Sequence, residues 1–587
     1  MINPKNKTNK NTPEEIKFLS YMEAPLSSDE KTELNKNKSA LINNGNFSSD
    51  LGFGTGGVRD KVEHGTNRLN KYNVARLVKG FADVIFTNNK KNKTDEYTLV
   101  IAYDSRLSSL EFSRVCYFYA RHLGLNVKVF KRPTPTPLLS FAIRQLQADA
   151  GIVITASHNP PEYNGFKAYW SDGGQIVSPL DKKIETKVHG VDYKDIPEEV
   201  NEWALTPVEA IDIIEDEITE AYLKKLEKES FITPNLNKDV RILYSALHGT
   251  GTWLFKQAYK HIGYNNFHTL GLQAEPDGNF PTLNLPNPEE PNSFDELVKE
   301  GKKDGSQILL ATDPDADRVG CAVWDKDHYV FLSGNQIGAL LMDHMIQKKS
   351  QHLKNPFVCK TIVTSKFQNQ IAEGNGIRVI ETLTGFKYIG DALKADPDNY
   401  LFGGEESFGY LPVDWVRDKD SLTSAIALSE IACEGSLLDK LKQLHFKYGL
   451  YHETLHSIML TSSAKEKEDN KPSVMDKLKN PESCLGPTIG GRKIVDILDL
   501  REGGKPPLSD DFKNLKKNLP TSTVIQYKLD PEGVFTIRPS GTEPKVKIYI
   551  SLRHPDLPND ENYEIMKKEL AAQADSIHKE LMTSLFN

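Results

Sequence analysis

Several α/β domains followed by a domain of different build are what this sequence predicts, on three observations. The chain has 587 residues, several times the ~100–200 residues of one domain, so about three to five domains are expected. Short β-rich runs alternate with helix-periodic stretches along most of its length, the rhythm of strands joined by helical crossovers. Between residues 521 and 552 the rhythm gives way to two-residue alternation, as in an antiparallel sheet.

Taken in order, residues 97–103 read as a strand, 108–123 as a helix stopped by Gly124, and 126–130 as the next strand. Four later strand-like runs each open into a loop rich in functional groups: 150–155 before Ser157, 240–246 before His248, 307–312 before Asp313 and 400–402 before Glu405. In open α/β sheets ligands collect beyond the carboxyl ends of strands, so these loops are expected to face a shared cleft. Domain breaks fall after residues 234, 332 and 455. This gives domain I at 1–234, domain II at 235–332, domain III at 333–455 and a C-terminal domain IV at 456–587. Residues 1–49 begin with an Asn/Lys-rich stretch and read as a partly disordered leader. Residues 464–482 are polar and charged and read as a linker or exposed excursion.

Apolar residues make up 38% and charged residues 26% of the chain, ordinary for a globular protein. The net charge of −8 leaves no basic footprint, which excludes nucleic acid as an expected partner. An anionic ligand must then be held by a local cationic pocket. The five cysteines, Cys116, Cys321, Cys359, Cys433 and Cys484, form no CxxC pair and no zinc-ligand spacing. They read as free, mostly buried thiols in a reducing compartment. No run approaches ~18 apolar residues and the first residues lack an apolar signal core, so no membrane association and a cytoplasmic location are expected.

Four loops carry chemistry. In residues 155–167, TASHNPPEYNGFK, Ser157 sits beside His158 at a strand end, with prolines stopping regular continuation and Lys167 downstream. Ser157 reads as a nucleophile or phosphoryl carrier with His158 and Lys167 supplying charge or proton transfer, or as an ordinary Ser/Asn/Pro turn. No G-x-S-x-G elbow surrounds Ser157, which argues against a hydrolase triad. In DPDADR at 313–318, Asp313, Asp315 and Asp317 alternate and offer an all-oxygen site that suits Mg²⁺; a solvated acidic turn is the alternative. An EF-hand fails, since its glycine and glutamate positions hold Arg318 and Trp324. RPSGTEP at 538–544 joins a guanidinium, two hydroxyls and a glycine, a phosphate cradle or a proline-bounded hairpin turn. GEESFG at 404–409 offers carboxylates and a hydroxyl suited to sugar hydroxyls, with Arg417, Lys419 and the loop ending in Arg59 as further candidates.

Together, GTGGVR at 54–59, TASHNP at 155–160, DPDADR at 313–318, GEESFG at 404–409 and RPSGTEP at 538–544 resemble, in order, the α-D-phosphohexomutase superfamily, from about Gly52 to about Tyr549. GEESFG and the Arg417–Asp418–Lys419–Asp420 run resemble its phosphoglucomutase branch, the subgroup that also includes phosphopentomutases. The resemblance implies four domains around a central cleft: three related mixed-sheet α/β domains and a smaller C-terminal α+β domain. It implies that Ser157 is a phosphoserine and, with Asp313, Asp315 and Asp317, a ligand of one Mg²⁺. Arg59 and His158 would face the reacting phosphate, and Arg318 would join the substrate site. Glu405, Ser407 and Arg417 would contact the sugar, and Arg538, Ser540, Gly541 and Thr542 the distant phosphate. Lys419 ranks first as general acid/base, with Lys167 and His158 as alternatives.

The implied reaction interconverts glucose 1-phosphate and glucose 6-phosphate through glucose 1,6-bisphosphate, which is also the expected activator. A phosphopentomutase, a phosphomannomutase and a glucose 1,6-bisphosphate synthase are the alternatives on the same scaffold. A non-catalytic phosphosugar-responsive scaffold is the alternative of another class, and it predicts damaged motifs where these are intact. A monomer or weak homodimer is expected.

Overall fold

A computed structural model describes residues 11–586, except 55, 89–95, 210–211, 460–476, 478–484 and 540–544. The chain divides into two compact units. One comprises Met1–Leu332, Phe386–Pro397 and Phe408–Cys433; the other comprises Ser333–Gly385, Asp398–Ser407 and Glu434–Asn587.

The first unit holds two sheets. One runs Ile213–Ile214, Asn126–Phe130, Thr98–Tyr103, Ala150–Ile154, Tyr163–Trp170, Gly57–Lys61, the first four strands parallel and the last two antiparallel. The other runs Phe267–Thr269, Ile242–Ser245, Ile308–Thr312, Val319–Asp325, His328–Leu332, again parallel strands closed by an antiparallel pair. Every residue of Ala150–Ile154 and of Ile308–Thr312 is buried, as expected of central strands covered on both faces. The helix Ser109–His122 buries Phe112, Val115, Cys116, Tyr119 and Ala120 at helical spacing and ends in a basic turn ahead of Gly124, whose φ is +94°.

The second unit repeats the arrangement in part. Its first sheet sets Arg378–Thr382, Phe357–Thr361 and Tyr400–Gly404 side by side and parallel. In all three sheets, counting from Thr98 in the first, the earliest of the parallel strands lies between the second and the third. In all three, a chemistry-bearing loop leaves the third strand. Each loop also holds one non-glycine residue in the left-handed region: Ser157 at φ +52°, Ala316 at +50° and Phe408 at +65°. Such residues are uncommon and cluster at functional turns. The chain is thus built from three related α/β domains and a fourth of different architecture.

That fourth sheet is wholly antiparallel, in the order Tyr451–Met459, Lys545–Arg553, Gly533–Pro539, Ile525–Asp530, Arg492–Asp499, Thr488–Ile489. The helix Tyr563–Leu581 covers it with Met566, Leu570, Ala574, Ile577 and Leu581.

One expectation needs correction. Residues 11–49 are not a disordered leader. Thr12 and Ser27 form capping boxes that start the helices Pro13–Tyr21 and Ser28–Asn43. Phe18, Tyr21, Leu34 and Phe47 are buried in the core of the first sheet's domain. The polar leader composition hid four apolar anchors spaced far apart. Residues 1–10 and most of 464–482 lie outside the described residues.

Candidate functional site

The first unit gathers seven of the expected residues. The buried strand Ala150–Ile154 delivers Ser157, whose Oγ lies 2.6 Å from Asp313 Oδ2 and 3.1 Å from His158 Nδ1. The Ser157 N–H donates to Thr155 Oγ1 at 2.8 Å, which steadies the left-handed turn. The return strand Tyr163–Trp170 passes close by. A Cβ on Gly165 would collide with the carbonyl oxygens of Thr155 and Val58, so only glycine permits this approach. Two residues on, Lys167 Nζ reaches 2.8 Å from Asp315 Oδ2 and 3.6 Å from Asp317 Oδ2.

Among the described residues, Asp313, Asp315 and Asp317 are the one group of three or more ligand-type side chains whose donor atoms lie within 4.8 Å of one another. All three are buried. Asp313 Oδ1 accepts the N–H groups of Asp317 and Arg318 at 3.1 and 3.0 Å, which folds the loop around it. Asp315 Oδ2 accepts from Thr136 Oγ1 at 3.0 Å. Asp315 Oδ1 and Asp317 Oδ1 are buried without a hydrogen-bond partner. Burial and the neighbouring carboxylates push the Asp313 and Asp317 carboxyls up, whereas at Asp315 burial is outweighed by Lys167, Asp313 and Lys419 together, which hold it below the usual range. Three crowded carboxylates with two unsatisfied oxygens fit a hard divalent cation. Burial opposes the charge on Lys167, yet Asp315 and Asp317 hold its amine above the ordinary lysine value.

Lys419 completes the cluster, with Nζ 3.1 Å from Asp317 Oδ2 and 3.3 Å from Asp418 Oδ1. Its stem runs against Gly409, where a Cβ would collide with Lys419 Cδ. The flanking aspartates act as anchors: Asp418 accepts from Tyr169 Oη at 2.6 Å and Asp420 from Tyr222 Oη at 2.5 Å. Alternation along the segment therefore fixes two residues and presents the lysine between them.

The three other predicted cations make contacts of their own. Arg59 Nη1 donates to Asn159 Oδ1 at 2.9 Å, at the exposed rim of the serine loop. Arg318 pairs with Glu289. Arg417 is buried, its guanidinium donating to the Asp414 carbonyl and its N–H to Ser140 Oγ.

In the second unit, Glu405 Oε1 accepts from the Gly385 N–H at 2.8 Å. Glu406 Oε2 accepts from Thr361 Oγ1 and Thr364 Oγ1, each at 3.1 Å. The adjacent glutamates thus hold the loop to two different neighbours, with Ser407 following. Arg538 Nη1 lies 3.5 Å from Tyr549 Oη on the adjacent strand. Ser540, Gly541 and Thr542 lie outside the described residues.

Sequence reasoning missed Thr136, Tyr169 and Tyr222, as well as Arg106, which underlies the serine loop. None carries a local signal, because each reaches the site from a distant segment.

Known proteins resemble this chain over most of its length. The model for "Phosphoglucomutase/phosphomannomutase, alpha/beta/alpha domain I" matches residues 50–195, that for domain II matches 220–326 and that for domain III matches 333–448. A phosphoglucomutase of Staphylococcus aureus (strain USA300) is 35% identical over 523 residues, covering 87% of this chain and 91% of that protein. A phosphoglucomutase/phosphomannomutase family protein of Burkholderia thailandensis has the same fold with a TM-score of 0.64, at 18% identity over 91% of this chain and 98% of its own. The open form of parafusin, a phosphoglucomutase from Paramecium, aligns with a TM-score of 0.62 at 18% identity, over 90% of this chain and 96% of its own.

Proposed function

This chain belongs to the α-D-phosphohexomutase superfamily, and from that premise we infer that it is a phosphoglucomutase, an isomerase interconverting glucose 1-phosphate and glucose 6-phosphate. The observation that carries the reading is the Ser157 hydroxyl, 2.6 Å from Asp313 within a buried aspartate triad flanked by two lysines. Phosphoryl transfer needs positioning and charge stabilisation above all, and this cluster supplies both. In the proposed division after residues 234, 332 and 455, each of the four domains carries one of the loops.

In the proposed cycle Ser157 carries a phosphoryl group at rest. Its P–Oγ bond breaks as a bond forms to O6 of glucose 1-phosphate, whose hydroxyl proton passes to a base. The resulting glucose 1,6-bisphosphate turns over, and Ser157 Oγ takes the phosphoryl from O1, which regains a proton. Lys419 is the preferred proton carrier, with Lys167 and His158 as the other candidates. Asp313, Asp315 and Asp317 would hold Mg²⁺, which when bound supplies charge stabilisation to the transferring oxygens. Arg59 and Arg318 would line the approach of the reacting phosphate. Glu405, Ser407 and Arg417 would read the sugar, and Arg538 with Ser540, Gly541 and Thr542 would hold the other phosphate. Enclosure from water protects the phosphoenzyme against hydrolysis. No helix among the described residues is long and apolar enough to cross a membrane, and the reading includes a cytoplasmic enzyme acting on free phosphosugar.

The test is direct. Purified protein should carry a phosphoryl group on Ser157, an added mass of about 80 Da for HPO₃. Ser157→Ala should lose essentially all turnover of glucose 1-phosphate while still binding it. Near-parental turnover in that variant, or phosphate found consistently on another residue, would overturn the mechanism.

A further inference from the structure

Arg106 lies beneath the serine loop. It follows the strand Thr98–Tyr103 by three residues and is 3% exposed. Four of its five N–H groups donate to backbone carbonyls of a single loop. Nη2 reaches the Ser157 oxygen at 2.6 Å and the Asn159 oxygen at 2.5 Å. Nη1 reaches the oxygens of Pro160 and Tyr163, each at 2.7 Å. Nε stands 3.2 Å from Asp104 Oδ2. Asp104 is fixed in turn: its Oδ1 accepts the Arg106 N–H at 2.9 Å and Ser109 Oγ at 2.6 Å. Ser109 Oγ also accepts from Asn164 Nδ2 at 2.9 Å, which closes the circuit back to the loop. On the other side the guanidinium rests over the Phe280 ring, 5.3 Å from its centroid.

We propose that Arg106 is the positioning residue that fixes Ser157 for phosphoryl transfer, by gathering the four carbonyls of its loop on one planar fork. This rests on the reading of Ser157 as phosphoryl carrier. Three physical points lead to it. First, Ser157 sits at φ +52°, a conformation that persists only where the surroundings over-determine it. Thr155 Oγ1 restrains the N–H side of Ser157, and Arg106 restrains its carbonyl. Second, the prolines at 160 and 161 remove two N–H donors from the loop; its own turns pair the Asn159 N–H with the Ala156 carbonyl and the Tyr163 N–H with that of Pro160, and Arg106 brings donors to the Ser157 and Asn159 carbonyls as well. Third, the loop gains about two negative charges when Ser157 is phosphorylated, and a buried guanidinium directly beneath opposes that accumulation. An ammonium is no substitute: it has three donors on a flexible stem and cannot span four carbonyls.

The test uses the full-length chain, with Mg²⁺ and glucose 1,6-bisphosphate present. Arg106→Lys keeps the charge and removes the fork. A displaced reacting group of about 1 Å costs on the order of 100-fold in rate, so kcat for glucose 1-phosphate should fall about 100-fold, with KM within about threefold of the parent. Hydrogen exchange of the peptide spanning 155–164 should rise, while peptides of the second unit stay unchanged. A role confined to stability would lower the melting temperature and leave kcat of the folded enzyme intact, and that result overturns the proposal. If Arg106→Lys does not fold, Asp104→Asn leaves the carbonyl fork and removes only its charge partner. It should lower kcat about tenfold at constant KM, and a parental kcat there overturns the proposal equally. A parent that never carries phosphate on Ser157 refutes the carrier reading and this inference with it. A phosphorylated parent whose Arg106→Lys variant turns over at the parental rate refutes the inference alone.

Discussion

At the scale of single residues, the proposed chemistry calls on groups that hold the candidate site residues in place. Asp418 and Asp420 flank Lys419, and each accepts from a buried phenol. Burial opposes the charge on Asp418, but Lys419 and Lys167 hold its carboxyl below the usual range. The Tyr169 hydroxyl fixes that carboxylate, and the carboxylate fixes Lys419. Tyr169→Phe should therefore lower kcat several-fold and also lower the melting temperature, since a buried hydrogen bond to a charged group contributes about 1.5–3 kcal/mol to stability. The measurement is kcat across pH for both proteins, and superimposable profiles would remove Tyr169 from the site. The aspartates, the serine and the lysines were legible in the sequence because each lies in a short loop with its own spacing. The tyrosines were not, because Tyr169 and Asp418 stand 249 positions apart, and only the fold joins them.

At the scale of elements, the legible part was the strands that end in loaded loops. Largely apolar runs such as Ile308–Thr312 announce a buried strand, and the acidic turn that follows must then lie at a sheet end. The N-terminal helices were illegible for the opposite reason. Their exposed faces are rich in Asn, Lys and Glu, and burial rests on isolated residues. Tyr21 is fully buried and packs edge-on against Phe47, Tyr72 and Tyr193, with its hydroxyl 2.9 Å from His64 Nδ1. Burial holds that imidazole below its ordinary value, so it pairs with the phenol as a neutral ring. Removing the Tyr21 side chain leaves a cavity among three aromatic rings. Tyr21→Ala should cost about 3–5 kcal/mol, the range for large aromatic truncations in a core. The denaturant midpoint of the full chain reads this out. A shift equivalent to less than about 1 kcal/mol would mean that the helices dock without contributing to the domain's stability.

At the scale of the whole molecule, the two units respond to different conditions. On the proposed reading Mg²⁺ would act on the first, where the aspartate triad lies. At 100 times its Kd a ligand of the folded state stabilises by about 2.7 kcal/mol, so Mg²⁺ should raise the unfolding midpoint of the parent and leave that of Asp315→Ala unchanged. A response of equal size in both would remove the triad as the Mg²⁺ site. Protons act on the second unit through Glu453, in the strand Tyr451–Met459. Its carboxylate accepts from Ser365 Oγ, which also caps the helix Lys366–Glu373. Burial pushes the Glu453 carboxyl up to about 7, against the opposing pull of that hydrogen bond. A folded-state value above the unfolded one means that the folded chain binds the extra proton, so the contribution is complete below about pH 4.5. It is lost as pH rises through about 7. At 1.36 kcal/mol per unit the whole change is on the order of 3 kcal/mol, less for the part of the side chain that water reaches. His445 works in the other direction. Burial lowers its imidazole to about 4, so its contribution is present above about pH 6.5 and lost as pH falls through 4. The second unit should accordingly be most stable in mildly acidic solution and weaken between pH 6 and 8. Glu453→Gln keeps a hydrogen-bonding group there and cannot ionise. Denaturant midpoints taken from pH 4 to pH 8.5 should approach the parent at the acid end, exceed it increasingly as pH rises to about 7, and hold a constant excess above that. Parallel curves for the two proteins across that range would place the Glu453 carboxyl in contact with water and remove it as the source of the pH dependence.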